Sequence, residues 1–227
     1  STLIMYILEK FDLEIKIFDD YFIFNRALDA GDLDANYFQH QPFFEDSVET
    51  NGYDLVNLGG IHIEPFGFYS KQIKSIDELK KDDVIIISNS AADYGRVLSI
   101  LDKAGVIELD KNVKVQNATT KDIVSNPLNL EFKEIKPETL TSAYENNEGA
   151  LVAINGNFAI DAGLNPTKDA VLLESASQDN PYVNIVACKK GNENDKKIKA
   201  LMEVLKSDQI KEFITSTYSD GSVIPVN

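Results

Sequence analysis

The sequence predicts an α/β protein of two lobes with mainly parallel sheets, and three observations carry that expectation. Two short apolar runs, Val84–Ile87 and Ala150–Ile154, have the look of strands covered on both faces. Strand-like segments alternate with helical patterns of about a dozen residues, as in layered α/β units. A chain of 227 residues can bury one large core or, more naturally, two smaller ones.

The elements follow in order. Leu3, Ile4, Ile7, Leu8 and Phe11 recur at helical spacing, which predicts an opening amphipathic helix. In DLEIKIF, Leu13, Ile15 and Ile17 alternate with Glu14 and Lys16, which predicts a half-buried strand. Asn25 to Ala30 reads as a short helix closed by Gly31, LDANYF as a brief extended piece, and Pro42 to Asn51 as a helix ended by Gly52. A strand ends near His62, and the second lobe begins beyond it. Ser75 and Glu78 have capping-box spacing at the start of a short helix. Val84–Ile87 leads through Asn89 and Ser90 into a helix from Ala91 to Ala104, stopped by Gly105. Pro137 to Tyr144 is another helix, since proline is tolerated in a first turn. The run Ala150–Ile154 ends at Asn155, GLNPTKD is a loop, and Val183 to Ala187 is a strand. Two helices close the chain, Asp195 to Lys206 and Ser207 to Tyr218, the first with an apolar stripe of Ile198, Leu201, Met202 and Leu205.

Composition excludes several functions. Hydrophobic residues at 43% and charged residues at 26% are ordinary for a globular protein. Against 22 Lys and Arg stand 37 Asp and Glu, a net charge of −15 that repels phosphate, so nucleic acid is not an expected partner. One cysteine, Cys188, excludes an internal disulfide; in the run YVNIVAC it reads as a packed strand thiol. No apolar stretch approaches the roughly 20 residues of a membrane span, and no signal-peptide pattern is present. His40 and His62 have no further ligands at zinc-like spacing. Asp32, Asp34 and Asn36 open like a calcium loop, but Tyr37 stands where that loop needs glycine. P-loop, dinucleotide and nucleophile-elbow motifs are missing. No catalytic residue, cofactor or metal is therefore expected.

What remains is a scattered set: Tyr21, Phe38, His40, Phe43, Arg96, Asn155 and Asn184. A guanidinium clamps a carboxylate bidentately, and carboxamides can serve both an ammonium and a carboxylate. Rings suit a soft apolar side chain, a thioether best of all. The chemistry fits a free amino acid held between two lobes, with no group placed to cleave it. In ISNSAADYGRVLSIL a buried strand delivers the chain to a helix start that attracts anions, with Arg96 early on that helix. The plainer readings are a surface Arg96 paired with Asp93 or Glu108, and the rings of FQHQPFF as ordinary core.

Several segments together carry a resemblance: GDLDANYFQHQPF, HIEPFGFYSKQIKSIDEL, NSAADYGRVLSIL, NPLNLEFKEI, INGNFAIDAGLNPTKDA, NPYVNIV and the closing GSVIPV. They resemble, in content and in order over nearly the whole chain, the NlpA/MetQ family of methionine-binding lipoproteins, substrate-binding subunits of methionine ABC importers. The resemblance implies a two-lobed fold of the periplasmic-binding-protein type (type II), with a ligand cleft between lobes joined by hinge strands. Residues 1–63 and 187–227 would form the first lobe, without its N-terminal strand, and 64–186 the second. Tyr21 would be an aromatic wall, Phe38 and His40 of the FQH motif would line the side-chain pocket, and Phe43 stands where many members have tyrosine. Arg96 would hold the ligand carboxylate, and Asn155 and Asn184 its backbone end. NSAAD departs from the family's usual N-D-P-T-N. The implied role is capture of methionine, or of a methionine-containing dipeptide or another apolar amino acid, and delivery to an ABC permease without a chemical step. The implied place is extracytoplasmic, cell-surface or periplasmic. The family's anchor cysteine is not among these residues, so membrane contact is expected through a lipid anchor outside them.

Overall fold

The structure, a computed structural model, describes residues 12–18, 20–175 and 180–226. The expected opening helix lies outside the described residues. Residues 12–18 do not form the expected strand: Ile15 and Ile17 are 68% and 85% exposed, and the segment pairs with no strand among the described residues. The chain divides into two compact units, Ser1–Glu64 with Ala176–Asn227, and Pro65–Ser175.

In the first unit, helix α1 (Tyr21–Ala30) opens on the side chain of Asp20 and closes at Gly31, whose φ of 86° few other residues adopt. Strand β1 (Ala35–His40), helix α2 (Gln41–Asn51) and strand β2 (Leu55–Ile63) follow. The chain returns as β10 (Val183–Lys189), α7 (Lys196–Leu205), α8 (Asp208–Thr217) and β11 (Ile224–Pro225). The sheet order is β1-β10-β2-β11, and every neighbouring pair is antiparallel. This corrects the expectation of mainly parallel sheets. β1 and β2, joined by α2, do run the same way, as a β-α-β pattern requires, but β10 inserts between them in the opposite sense. Local pattern specifies the crossover; it says nothing of a distant strand that fills the gap. The return was expected after residue 186. It comes earlier because β10 pairs on both sides from Val183 or Asn184 onward, which ties these residues to the first unit's sheet.

Leu28, Phe44, Leu55, Ile185 and Ala187 form this unit's apolar core. Beside it lies a buried amide network. Asn25 donates to Gln39 (2.7 Å) and to the Ser47 hydroxyl (3.0 Å), while Asn36 and Gln39 donate back to the Asn25 carbonyl at 3.0 and 2.8 Å. Four buried polar side chains thus satisfy one another and fix α1 and α2 against β1.

The second unit holds β3 (Gly67–Tyr69), β4 (Val84–Ser88), α3 (Ala91–Lys103), β5 (Glu108–Leu109), β6 (Ile123–Ser125) and β7 (Glu131–Ile135). Then come α4 (Leu140–Glu145), β8 (Leu151–Ile154), α5 (Gly156–Asp161), α6 (Pro166–Asp169) and β9 (Leu172–Leu173). Its five-stranded sheet runs β7-β4-β8-β3-β9, with β4 parallel to β7 and β8 and β3 antiparallel to β8 and β9. β4 is buried on both faces: Ile85 and Ile87 join the core that contains Leu98 and Leu101, while Ile86 joins Tyr69, Leu140 and Val152 on the other. α3 lies so close to the 3-10 turn at Val115–Asn117 that a Cβ on Gly95 would overlap the Val115 carbonyl. GLNPTKD is not simply a loop, because the Asn165 side chain caps α6 inside it. The Ser75 pattern makes only a 3-10 turn, in which Glu78 reaches the Lys74 amide instead of the cap's own.

Candidate functional site

In the first unit, the Asp20 cap (2.8 Å to the Phe22 amide) places Tyr21 at the first residue of α1. β1 carries a bulge between Tyr37 and Gln39, so Phe38 has no partner in the β10 register. A bulge re-aims side chains. Here Gln39 is buried in the amide network, Tyr37 stays 38% exposed, and Phe38 sits among rings. Its centroid lies 6.1 Å from Tyr21 and 5.9 Å from Phe43, and Tyr21 and Phe43 are 6.0 Å apart. Three of the expected wall residues therefore form one aromatic group. Phe24, outside the expected set, stacks on Phe38 at 4.1 Å and 13°.

His40 ends β1 and caps α2. Its Nδ1 accepts from the Phe43 amide at 3.1 Å, which leaves the ring proton on Nε2 at neutral charge. The ring meets Phe43 at 6.3 Å and Tyr182 at 5.2 Å, both edge-on. Asn184, buried on β10, stands opposite His40 on one side and His62 on the other. His62 is engaged elsewhere: its Nε2 meets Glu64 at 2.7 Å and its Nδ1 bonds the Tyr37 hydroxyl. Burial, with Glu64 adding to it, pushes the Tyr37 hydroxyl well above its usual range, so that hydroxyl keeps its proton.

In the second unit, the strand-to-helix passage from β4 to α3 forms as expected, with Ser90 at the cap. Arg96 lies on α3 and is only 4% exposed, which rules out the surface alternative. It is gripped by Glu174, just beyond β9, a partner that neither plainer reading named. Nε donates to Oε1 at 3.0 Å and Nη2 to Oε2 at 2.6 Å. The guanidinium also lies 5.2 Å over the Phe66 ring. No local pattern in VLLESAS could have marked Glu174, which is 78 residues from Arg96.

Asn155 occupies the cap position of α5 without capping it. Its Nδ2 points to Asp93 at 3.5 Å, and its buried Oδ1 has no hydrogen-bond partner among the described residues. A buried acceptor left unmet costs roughly 1–3 kcal/mol, so Asn155 presents an acceptor suited to an incoming N–H. Asp93, 2% exposed, puts a carboxylate in the first turn of the same helix as Arg96.

The expected residues thus divide by unit: Tyr21, Phe38, His40, Phe43 and Asn184 in the first, Arg96 and Asn155 in the second. Among the described residues no cluster of three or more His, Cys, Asp or Glu is placed to hold a metal, and no helix is long and apolar enough to cross a membrane.

Comparison with known proteins adds the following. The family model described as NlpA lipoprotein matches residues 7–227. The methionine-binding lipoprotein MetQ of Bacillus subtilis is 50% identical over 96% of this chain and 79% of its own length. The structure of a nutrient-binding protein from Burkholderia cenocepacia bound to methionine aligns with a TM-score of 0.90 at 34% identity, covering 99% of this chain and 93% of the other. That of a periplasmic substrate-binding protein of an ABC transporter from Coxiella burnetii aligns with a TM-score of 0.89 at 33% identity, covering 99% and 95%.

Proposed function

Because the chain belongs to the NlpA lipoprotein family, we propose that it is the substrate-binding component of an ABC importer and captures free methionine. In this reading Arg96 holds the ligand carboxylate, and Asn155 and Asn184 take its backbone end. Tyr21, Phe38, His40 and Phe43 wall its side chain. The observation that carries it is the pair of buried polar groups in the second unit: a guanidinium 4% exposed and an amide oxygen with no partner among the described residues. Such groups are costly in a protein interior unless a ligand or fixed partners meet them. The aromatic group of the first unit is a surface of the kind that suits a thioether.

Relatives named as lipoproteins, and one named as a periplasmic substrate-binding protein of an ABC transporter, support an extracytoplasmic location and delivery to a membrane permease. The reading contains no chemical step: ligand binding and release are the whole of it.

Calorimetric titration with L-methionine tests it. The protein binds methionine, and Arg96→Ala, its fold verified by thermal melting, loses about tenfold to a hundredfold in affinity, the worth of ~1.5–3 kcal/mol for a charge-assisted contact. Unchanged affinity in the folded variant overturns the role of Arg96. Release of a different amino acid or of a dipeptide on denaturation, identified by mass spectrometry, overturns methionine as the substrate.

A further inference from the structure

We infer that Glu174 is the positioning residue for Arg96, setting the plane and reach of the guanidinium that meets the ligand carboxylate; this rests on the methionine-binding reading above. Glu174 grips one flank of the guanidinium with both carboxylate oxygens, at 3.0 Å to Nε and 2.6 Å to Nη2. A two-point contact on a planar fork fixes its orientation as a single bond cannot. Glu174 is itself held. Its Oε2 also accepts the Phe66 amide at 3.1 Å, and its own backbone amide donates to the Phe66 carbonyl at 2.8 Å. The Phe66 ring in turn supports the guanidinium from below at 5.2 Å. Arg96, Glu174 and Phe66 are therefore linked, with Glu174 anchored to the Phe66 backbone while it grips the arginine. Phe66 and Glu174 stand beside the two places where the chain enters and leaves this unit, after Glu64 and before Ala176.

Two effects oppose each other at Glu174. Its negative charge offsets the attraction of Arg96 for a second carboxylate, so its removal could tighten binding. Its removal also takes the two-point grip from one flank of Arg96, a guanidinium only 4% exposed. In a site this buried a clamp held off its working geometry wastes the attraction it offers, and that loss is the larger. Positioning wins, and Glu174 is required for tight binding.

The experiment compares wild type, Glu174→Gln and Glu174→Ala by calorimetry with two ligands, L-methionine and L-methioninamide, which lacks the carboxylate. Glutamine keeps the shape of the side chain, so that variant stands if the alanine variant fails to fold. The expected result is a methionine affinity lowered by at least about tenfold in the alanine variant and less in the glutamine variant, with methioninamide changed by less than about threefold. The preference for the free carboxylate thus collapses. Equal weakening of both ligands would assign Glu174 a purely structural role and overturn the inference. So would unchanged or tighter methionine binding in the folded variants. Absence of methionine binding by wild type would instead remove the reading on which the inference rests, and the wild-type arm reports that separately.

Discussion

At the scale of single residues, environment decides what each group can do. Cys188 is fully buried in β10, and burial, with Glu193 and Asp195 adding to it, pushes its thiol up from 9.0 to about 11. The thiolate is the reactive form, so the folded protein resists alkylation at pH 8 and reacts once unfolded. The folded state also holds a proton that the unfolded chain releases above about pH 9. Stability therefore falls as pH rises from about 9 towards about 11. Thermal melts across that range should show a steeper decline for wild type than for Cys188→Ala; equal slopes would contradict the shift. The sequence reading of Cys188 as a packed strand thiol follows from the apolar run around it. Arg96 illustrates the limit of such reading. Its position early on α3 is visible in the sequence, but Glu174, which grips it with both carboxylate oxygens, comes from far along the chain.

At the scale of elements, α3 carries Asp93 and Arg96, and Gly95 decides how deeply it sits. A side chain there would collide with the backbone carbonyl of Val115, an atom that cannot turn aside as a flexible side chain does. Gly95→Ala is expected to destabilise the protein by about 1–3 kcal/mol or more, the range for overpacking. Denaturant titration measures this, and a loss below about 0.5 kcal/mol would mean the turn at Val115–Asn117 gives way readily. In the first unit, α2 and the two C-terminal helices were legible from glycine stops and apolar spacing, whereas α1, capped by Asp20, begins at Tyr21, ahead of the expected Asn25. The strand over residues 12–18 was misread because alternation alone does not make a strand; a partner edge must exist. The bulge at Phe38 was invisible for a related reason, since it is a property of the β1–β10 pairing and not of β1.

For the whole molecule, binding and folding are linked. A ligand that binds only the folded state at a hundred times its dissociation constant adds about 2.7 kcal/mol. For a chain of this size that corresponds to an unfolding midpoint raised by roughly 5–10 °C. Methionine should produce such a shift in wild type and a much smaller one in Arg96→Ala; equal shifts would separate stabilisation from the proposed clamp. By itself the sequence determined the α/β class, the buried character of β4 and β8, the ends of α1 and α2 at their glycine stops, and the family, because each is written in local spacing or in contiguous motifs. The tertiary structure alone decided the antiparallel sheet of the first unit, where β10 enters between β1 and β2, and the return to that unit before residue 180. It also decided the Asn25–Asn36–Gln39–Ser47 network and the Arg96–Glu174–Phe66 set. Each of these joins residues from different elements, and contacts made only when the chain has folded leave no periodic trace along it.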